Sequence, residues 1–222
     1  MMIKIITAFF LCFNLTTFNT HAQQNSPYWN EVQAFKKQDS SNFPAANQIL
    51  LIGSSSFTMW KDVQQSFPSY PILNRAFGGS SLPDLIRYRY EILYPYQPKQ
   101  VLIYCGENDF AASDTVSVQT VVTRFQVLFE LIRAKYKNTP VAYVSMKPSP
   151  SRSHLMPKFA AANKLIREYL ASKNKTAYVN VYSPMLNKDG TPMADIFLED
   201  KLHMNAKGYA IWKQRIIKVL IK

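Results

Sequence analysis

The sequence predicts an α/β fold, a three-layer α/β/α sandwich on a five-stranded parallel sheet. Five short apolar runs are continuous rather than alternating, which is the pattern of strands buried on both faces. Amphipathic segments with apolar residues three and four apart separate these runs, so strand and helix alternate along the chain.

The elements follow in order. Residues 23–48 are polar, with Trp29, Val32 and Phe35 at helical spacing, and predict a packing helix that leads through Phe43-Pro44 into the domain. Ile49-Leu50-Leu51-Ile52 is the first strand, stopped by Gly53, and Pro71-Ile72-Leu73-Asn74 the second. Val101-Leu102-Ile103-Tyr104, Val141-Ala142-Tyr143-Val144 and Ala177-Tyr178-Val179-Asn180-Val181 complete the set. Val118, Val121, Val122, Phe125, Phe129, Ile132 and Tyr136 mark a long helix, with caps expected at Ser113 to Thr115. Another helix is entered through Pro157, which the first turn tolerates, and carries Phe159, Ala162, Ile166, Tyr169 and Leu170. Tyr209, Trp212, Ile216 and Val219 form the last, capped by Asn205. No internal repeat or low-complexity linker interrupts residues 49–222, so one domain is expected there.

Residues 1–22 stand apart. Lys4 gives a weakly positive start, residues 5–15 form an apolar run broken by little except Asn14, and Thr20-His21-Ala22 offers a small-residue cleavage site. The apolar run is too short to span a bilayer and reads as a secretory signal peptide, a retained anchor being the alternative. Cys12 does not indicate a lipoprotein, because Phe9-Phe10-Leu11 lacks small residues before it. Export to the periplasm or the exterior follows, with no stable membrane insertion after cleavage. Only Cys105 would then remain, inside an apolar run, where a buried small hydrophobe is expected and no internal disulfide can form.

At 222 residues, 47% of them apolar and 14% aromatic, the chain can bury a core and is not disordered. The net charge of +12 is spread without a run longer than Lys36-Lys37 and without a nucleic-acid motif. It reads as a solvated basic surface, and no nucleic-acid partner is expected.

Four polar segments follow strands or precede the last helix: Gly53-Ser54-Ser55, Gly78-Gly79, Gly106-Glu107-Asn108-Asp109 and Asp200-Lys201-Leu202-His203. Ligands of open parallel sheets bind beyond the carboxyl ends of the strands, so these segments are candidates to converge. Each has an ordinary explanation as a cap or turn. Together they supply the parts of ester hydrolysis. Ser55, where a helix should begin, offers a hydroxyl nucleophile that needs a base. Of three histidines, His21 falls in the leader and His154 has no carboxylate nearby in sequence, which leaves His203 as the base. Asp200, three residues earlier, can hold the imidazole in the right tautomer. Gly79 permits close backbone approach and Asn108 offers an amide donor, as an oxyanion hole requires.

These blocks resemble the SGNH (GDSL-type) hydrolase superfamily from about Ile49 to the C-terminus. The resemblance implies a flavodoxin-like sandwich, with Ser55 as nucleophile, His203 as base and Asp200 as its partner. It also implies an oxyanion hole of the Ser55 and Gly79 N–H groups and the Asn108 side chain. Gly53-Ser54-Ser55-Ser56 departs from the usual Gly-Asp-Ser, and with Trp60 and Lys147-Pro148-Ser149-Pro150 resembles the platelet-activating-factor acetylhydrolase-like branch. The attacking register, Ser54, Ser55 or Ser56, is open at this level.

The expectation is an exported serine esterase that deacetylates carbohydrate or other small O-acyl substrates, with a lipase or lysophospholipase as the alternative. A flavodoxin-like phosphate or cofactor binder would use the serine-rich loop, and a glycan-binding relative would have lost catalysis. The first leaves Asn108, Asp200 and His203 without roles, and the filled triad disfavours the second. The chain has no Gly-x-Ser-x-Gly elbow, P-loop, His-Glu-x-x-His or Cys-x-x-Cys motif, and neither a cofactor nor a metal is expected.

Overall fold

The computed structural model describes residues 27–222. The expected leader, residues 1–22, lies outside them. The five strands β1 (Ile49–Gly53), β2 (Ile72–Asn74), β3 (Gln100–Tyr104), β4 (Val141–Val144) and β5 (Thr176–Val179) form one parallel sheet in the order β2-β1-β3-β4-β5. The order reverses between β1 and β3, which are paired from Ile49 against Gln100 to Gly53 against Tyr104. A crevice opens at such a switch point beyond the strand ends.

The helices are α1 (Trp29–Ser41), α2 (Ser55–Thr58), α3 (Val63–Ser66), α4 (Leu82–Arg87), α5 (Arg89–Ile92), α6 (Glu107–Ala111), α7 (Val118–Lys135), α8 (Met156–Ala171) and α9 (Ala206–Ile216). The reason for the continuous apolar strands is visible in their alternation. Leu50, Ile52, Val101, Ile103, Val141 and Tyr143 pack into one core layer with α1, α4, α5, α7 and α8. Ile49, Leu51, Leu102, Tyr104, Ala142 and Val144 pack into the other, with Phe57, Trp60, Trp212 and Ile216. Both faces are covered, so neither can be polar. None of the helices among the described residues is long and apolar enough to cross a membrane.

Several element ends differ from expectation, each for a local reason. The strand β5 stops at Val179 rather than Val181, because the Val181 and Tyr182 amides leave the ladder and donate to Ser145 Oγ (3.0 and 3.2 Å). The cap of α7 is Ser117, whose Oγ accepts from Thr120 N at 3.0 Å, while Ser113 pairs with Thr115 in the preceding loop. The helix expected at Ser55 is a single turn, followed by the separate α3. Asn205 does cap α9, accepting from Lys207 N at 2.9 Å, but the helix ends at Ile216, before Val219.

The polar lead-in helix is integral to the fold. Its Val32 is fully buried, and Asp39 pairs with the buried Arg75 and accepts from Tyr96 OH at 2.5 Å.

Candidate active site

Gly53 ends β1 under a tight constraint. Its φ is +150°, and a Cβ there would lie 2.0 Å from the Tyr104 carbonyl oxygen of β3. Only glycine lets the two strands run together to their last residue, and it turns the chain so that Ser54 and Ser55 emerge at the crevice. The turn α2 is then pinned from outside the sheet. Tyr209 OH of α9 donates to Ser56 O (2.9 Å), and Asn74 Nδ2 donates to Phe57 O (2.7 Å).

Of the three serines, Ser55 meets the imidazole. Its Oγ is 3.0 Å from His203 Nε2, and His203 Nδ1 is 2.5 Å from Asp200 Oδ2. A neutral ring that donates through Nδ1 to the carboxylate leaves Nε2 to accept the Ser55 proton. The Asp200 Oδ1 atom accepts from the Leu202 and His203 amides, both at 2.9 Å, so the carboxylate is fixed at both oxygens. Desolvation raises the Asp200 pKa, but the His203 ring and these two amides outweigh it and hold the group at about 2. Asp200 therefore stays charged wherever His203 can act as a base. Ser54 Oγ instead accepts from Asn108 Nδ2 at 2.7 Å, and Ser56 is buried and paired with the Tyr104 hydroxyl.

Asn108 and Gly79 sit side by side. The Asn108 Nδ2 also donates to Ser80 O at 3.0 Å, next to Gly79. The φ of Gly79 is +78°, and Tyr28 OH, just before α1, donates to its carbonyl at 2.9 Å. The turn is anchored below by Ser80 Oγ, which donates to Gly53 O and Phe77 O (both 3.0 Å). Asp109, deep in the fold, holds this segment from the other side. It accepts from Leu82 N (2.9 Å) and pairs with Arg124 (2.8 Å).

His154 lies exposed on the 3₁₀ turn Pro150–Leu155 and takes no part in this cluster. Cys105 is buried, and burial pushes its thiol well above the usual value, so it is no nucleophile.

Residues that sequence reasoning missed surround Asn108. Arg152 donates to Asn108 Oδ1 at 2.9 Å and lies 3.5 Å from Glu107 Oε2. Glu107 also receives Lys147 Nζ (3.1 Å), the Lys147 amide (3.0 Å) and the Tyr104 hydroxyl. Burial alone would raise the Glu107 pKa, yet the Lys147 and Arg152 charges and the Tyr104 hydroxyl hold it below its ordinary value. A signal was present: Lys147 lies three residues beyond the apolar strand β4, and Glu107 three residues beyond β3 at the same edge. A charge at the end of each neighbouring buried strand asks for its opposite.

The cleft beside Ser55 is small, about 10 Å³, and is lined by Ser54, Gly106, Asn108, Lys147, Arg152 and Leu202. Larger depressions, of about 610 and 350 Å³, lie at the C-terminal ends of α7 and α8 and along the middle of α8 beside β5, away from Ser55.

A serine–histidine–aspartate array at the switch point of a parallel sheet, with an amide donor beside the serine, defines a serine-hydrolase type of centre. Residues 53–211 match the GDSL-like lipase/acylhydrolase family, and the chain belongs to that family of ester-hydrolysing enzymes. Solved structures share the fold. One described as a platelet activating factor from Streptococcus pneumonia is 19% identical, with a TM-score of 0.75 over 86% of this chain and 92% of that one. An acylhydrolase from Bacteroides fragilis is 22% identical, with a TM-score of 0.72 over 86% and 95%. An acetyl-xylooligosaccharide esterase from Geobacillus Stearmophilus is 13% identical, with a TM-score of 0.62 over 80% and 96%. Among curated proteins, none matches the sequence significantly.

Proposed function

We propose that the protein is an exported serine esterase that removes small acyl groups, acetyl above all, from carbohydrate or similar alcohols. The observation that carries the acyl preference is the cleft beside Ser55. Its lining is mostly polar, from Ser54, Ser55, Glu107, Asn108, Lys147 and Arg152, and offers little apolar surface to a long acyl chain. A long acyl chain needs an apolar groove, and an acetyl group does not. Likeness of fold to an acetyl-xylooligosaccharide esterase is consistent with this choice.

In this reading Ser55 Oγ attacks the ester carbonyl while His203 Nε2 takes its proton across the 3.0 Å contact. Asp200 keeps the ring in its tautomer and stabilises the imidazolium. The developing oxyanion is met by the Ser55 and Gly79 N–H groups and by Asn108 Nδ2. The imidazolium then protonates the leaving alcohol. Water, deprotonated by the same ring, attacks the acyl-enzyme and releases the acid.

The test is a chain-length series of nitrophenyl esters together with acetylated oligosaccharides. Rates should fall steeply beyond acetyl and propionyl, and Ser55→Ala should abolish turnover. Undiminished activity in Ser55→Ala overturns the mechanism, and a preference for octanoyl or longer esters overturns the substrate reading. Export is tested by the mass of the protein recovered outside the cytoplasm, which should begin at Gln23.

A further inference from the structure

We propose that Arg152 is a positioning residue of the oxyanion hole, fixing which face of the Asn108 amide looks into the cleft. The inference rests on the esterase reading above and concerns how its oxyanion donor is held.

A side-chain amide has one acceptor and two donor hydrogens, and its two ends are almost equal in shape. An asparagine turned over would present its oxygen to the oxyanion, a repulsive contact in place of a donor. At Asn108 both ends are assigned. Arg152 donates to Oδ1 at 2.9 Å, while Nδ2 donates to Ser54 Oγ and Ser80 O at 2.7 and 3.0 Å. A guanidinium has no acceptor and cannot lose its proton, so it admits only the oxygen end. Ser54 is indifferent, because a hydroxyl donates or accepts. Ser80 O offers only acceptance, so it reinforces the same choice. The charged donor also polarises the amide, which strengthens the donation of Nδ2.

Arg152 is itself held in place. Glu107 Oε2 lies 3.5 Å from its guanidinium, and the buried Lys147 and the Tyr104 hydroxyl occupy the rest of that carboxylate. Arg152 sits at a kink in its 3₁₀ turn, with φ −117° and ψ 26°. The neighbouring Ser151 donates through both its amide and its hydroxyl to Lys201 O, at 3.1 and 3.0 Å. The same short segment is thus fastened to the Asp200–His203 turn and to Asn108. It couples the base side of the centre to the oxyanion side.

Three variants decide the matter, measured on a nitrophenyl acetate: Arg152→Met, Arg152→Lys and Asn108→Ala, with the double variant Asn108→Ala/Arg152→Met. If Arg152 acts through Asn108, Arg152→Met lowers kcat between about tenfold and a hundredfold, the range of a misplaced catalytic group, and leaves KM within about twofold. The loss should vanish in the Asn108→Ala background, where there is no amide to orient. Arg152→Lys, which keeps a donor and a charge but not the fork, should recover part of kcat. The proposal is overturned by an undiminished kcat in folded Arg152→Met. It is also overturned by a loss of the same factor with and without Asn108, which would make Arg152 a direct substrate contact. A rise in KM at constant kcat has that same meaning. Ser55→Ala separates the two claims. If it is inactive while Arg152→Met is not impaired, the esterase reading stands and only this inference falls.

Discussion

Asn108→Ala tests the oxyanion hole at the point where the structure adds a number. Removing one such donor costs ~2.7–4 kcal/mol of transition-state stabilisation in serine hydrolases. Here the donor is engaged before the substrate arrives, since Nδ2 donates to Ser54 Oγ at 2.7 Å and to Ser80 O at 3.0 Å. The carbonyl is part of the backbone and keeps its bond, so the hydrogen given to the oxyanion is the one that Ser54 holds at rest. A neutral hydrogen bond of that kind is worth about 0.5–1.5 kcal/mol net. Only the difference between transition state and ground state counts, which leaves about 1.2–3.5 kcal/mol. Asn108→Ala should therefore lower kcat/KM by roughly 8- to 400-fold, with most of the loss in kcat. Steady-state rates on an acetyl ester, with circular dichroism to confirm folding, measure it. A loss below threefold, or one confined to KM, would refute the assignment of Asn108 as an oxyanion donor.

The remaining predictions concern what holds this centre up. Gly53→Ala places a methyl 2.0 Å from the Tyr104 carbonyl at a φ of +150°, so the variant should be insoluble or lose several degrees of Tm by thermal melting. Trp212→Ala empties a fully buried site that meets Phe57, Trp60 and Tyr104 edge-on, and should cost about 3–5 kcal/mol in urea unfolding. Glu107→Gln strands the buried Lys147 charge and should cost a similar ~3–5 kcal/mol at pH 7. Because the Glu107 pKa is lowered in the folded state, its contribution is present above the ordinary carboxylate range and is lost as the pH falls through its folded value. The gap between wild type and Glu107→Gln should accordingly narrow in urea titrations at pH 4, and a gap that widens on acidification would contradict the sign.

Much of the fold was legible because burial on two faces leaves a one-dimensional trace. Ile49 to Ile52 and Val101 to Tyr104 are apolar at every position since successive side chains enter different core layers. The ends were less legible, because they depend on partners distant in sequence. Nothing near Val181 announces that Ser145 will take its amide. The pairing of Asp200 with His203 was local enough to read, and histidine counting reduced the choice of base. The attacking register was not local. Ser54, Ser55 and Ser56 have equal chemistry, and only the arrival of His203 from 148 residues away distinguishes them. The Glu107, Lys147 and Arg152 cluster was legible only in part: the charges that follow two buried strands hinted at a pair, but nothing in the segment of Arg152 marked it as their third member. The burial of Glu107 and Lys147 appears only when β3 and β4 lie side by side.

The span of 148 residues between Ser55 and His203 has a consequence for how the enzyme is made. The nucleophile, the glycine turn and the amide donor all lie before residue 110. The base comes only some twenty residues from the C-terminus, in the turn that Asn205 and α9 secure. On the other side, Tyr28, just before α1, clasps the Gly79 carbonyl. A nascent or unfolded chain therefore holds the hydroxyl without anything to deprotonate it. By this mechanism hydrolysis requires the folded chain, because only folding brings the imidazole within 3.0 Å of the hydroxyl.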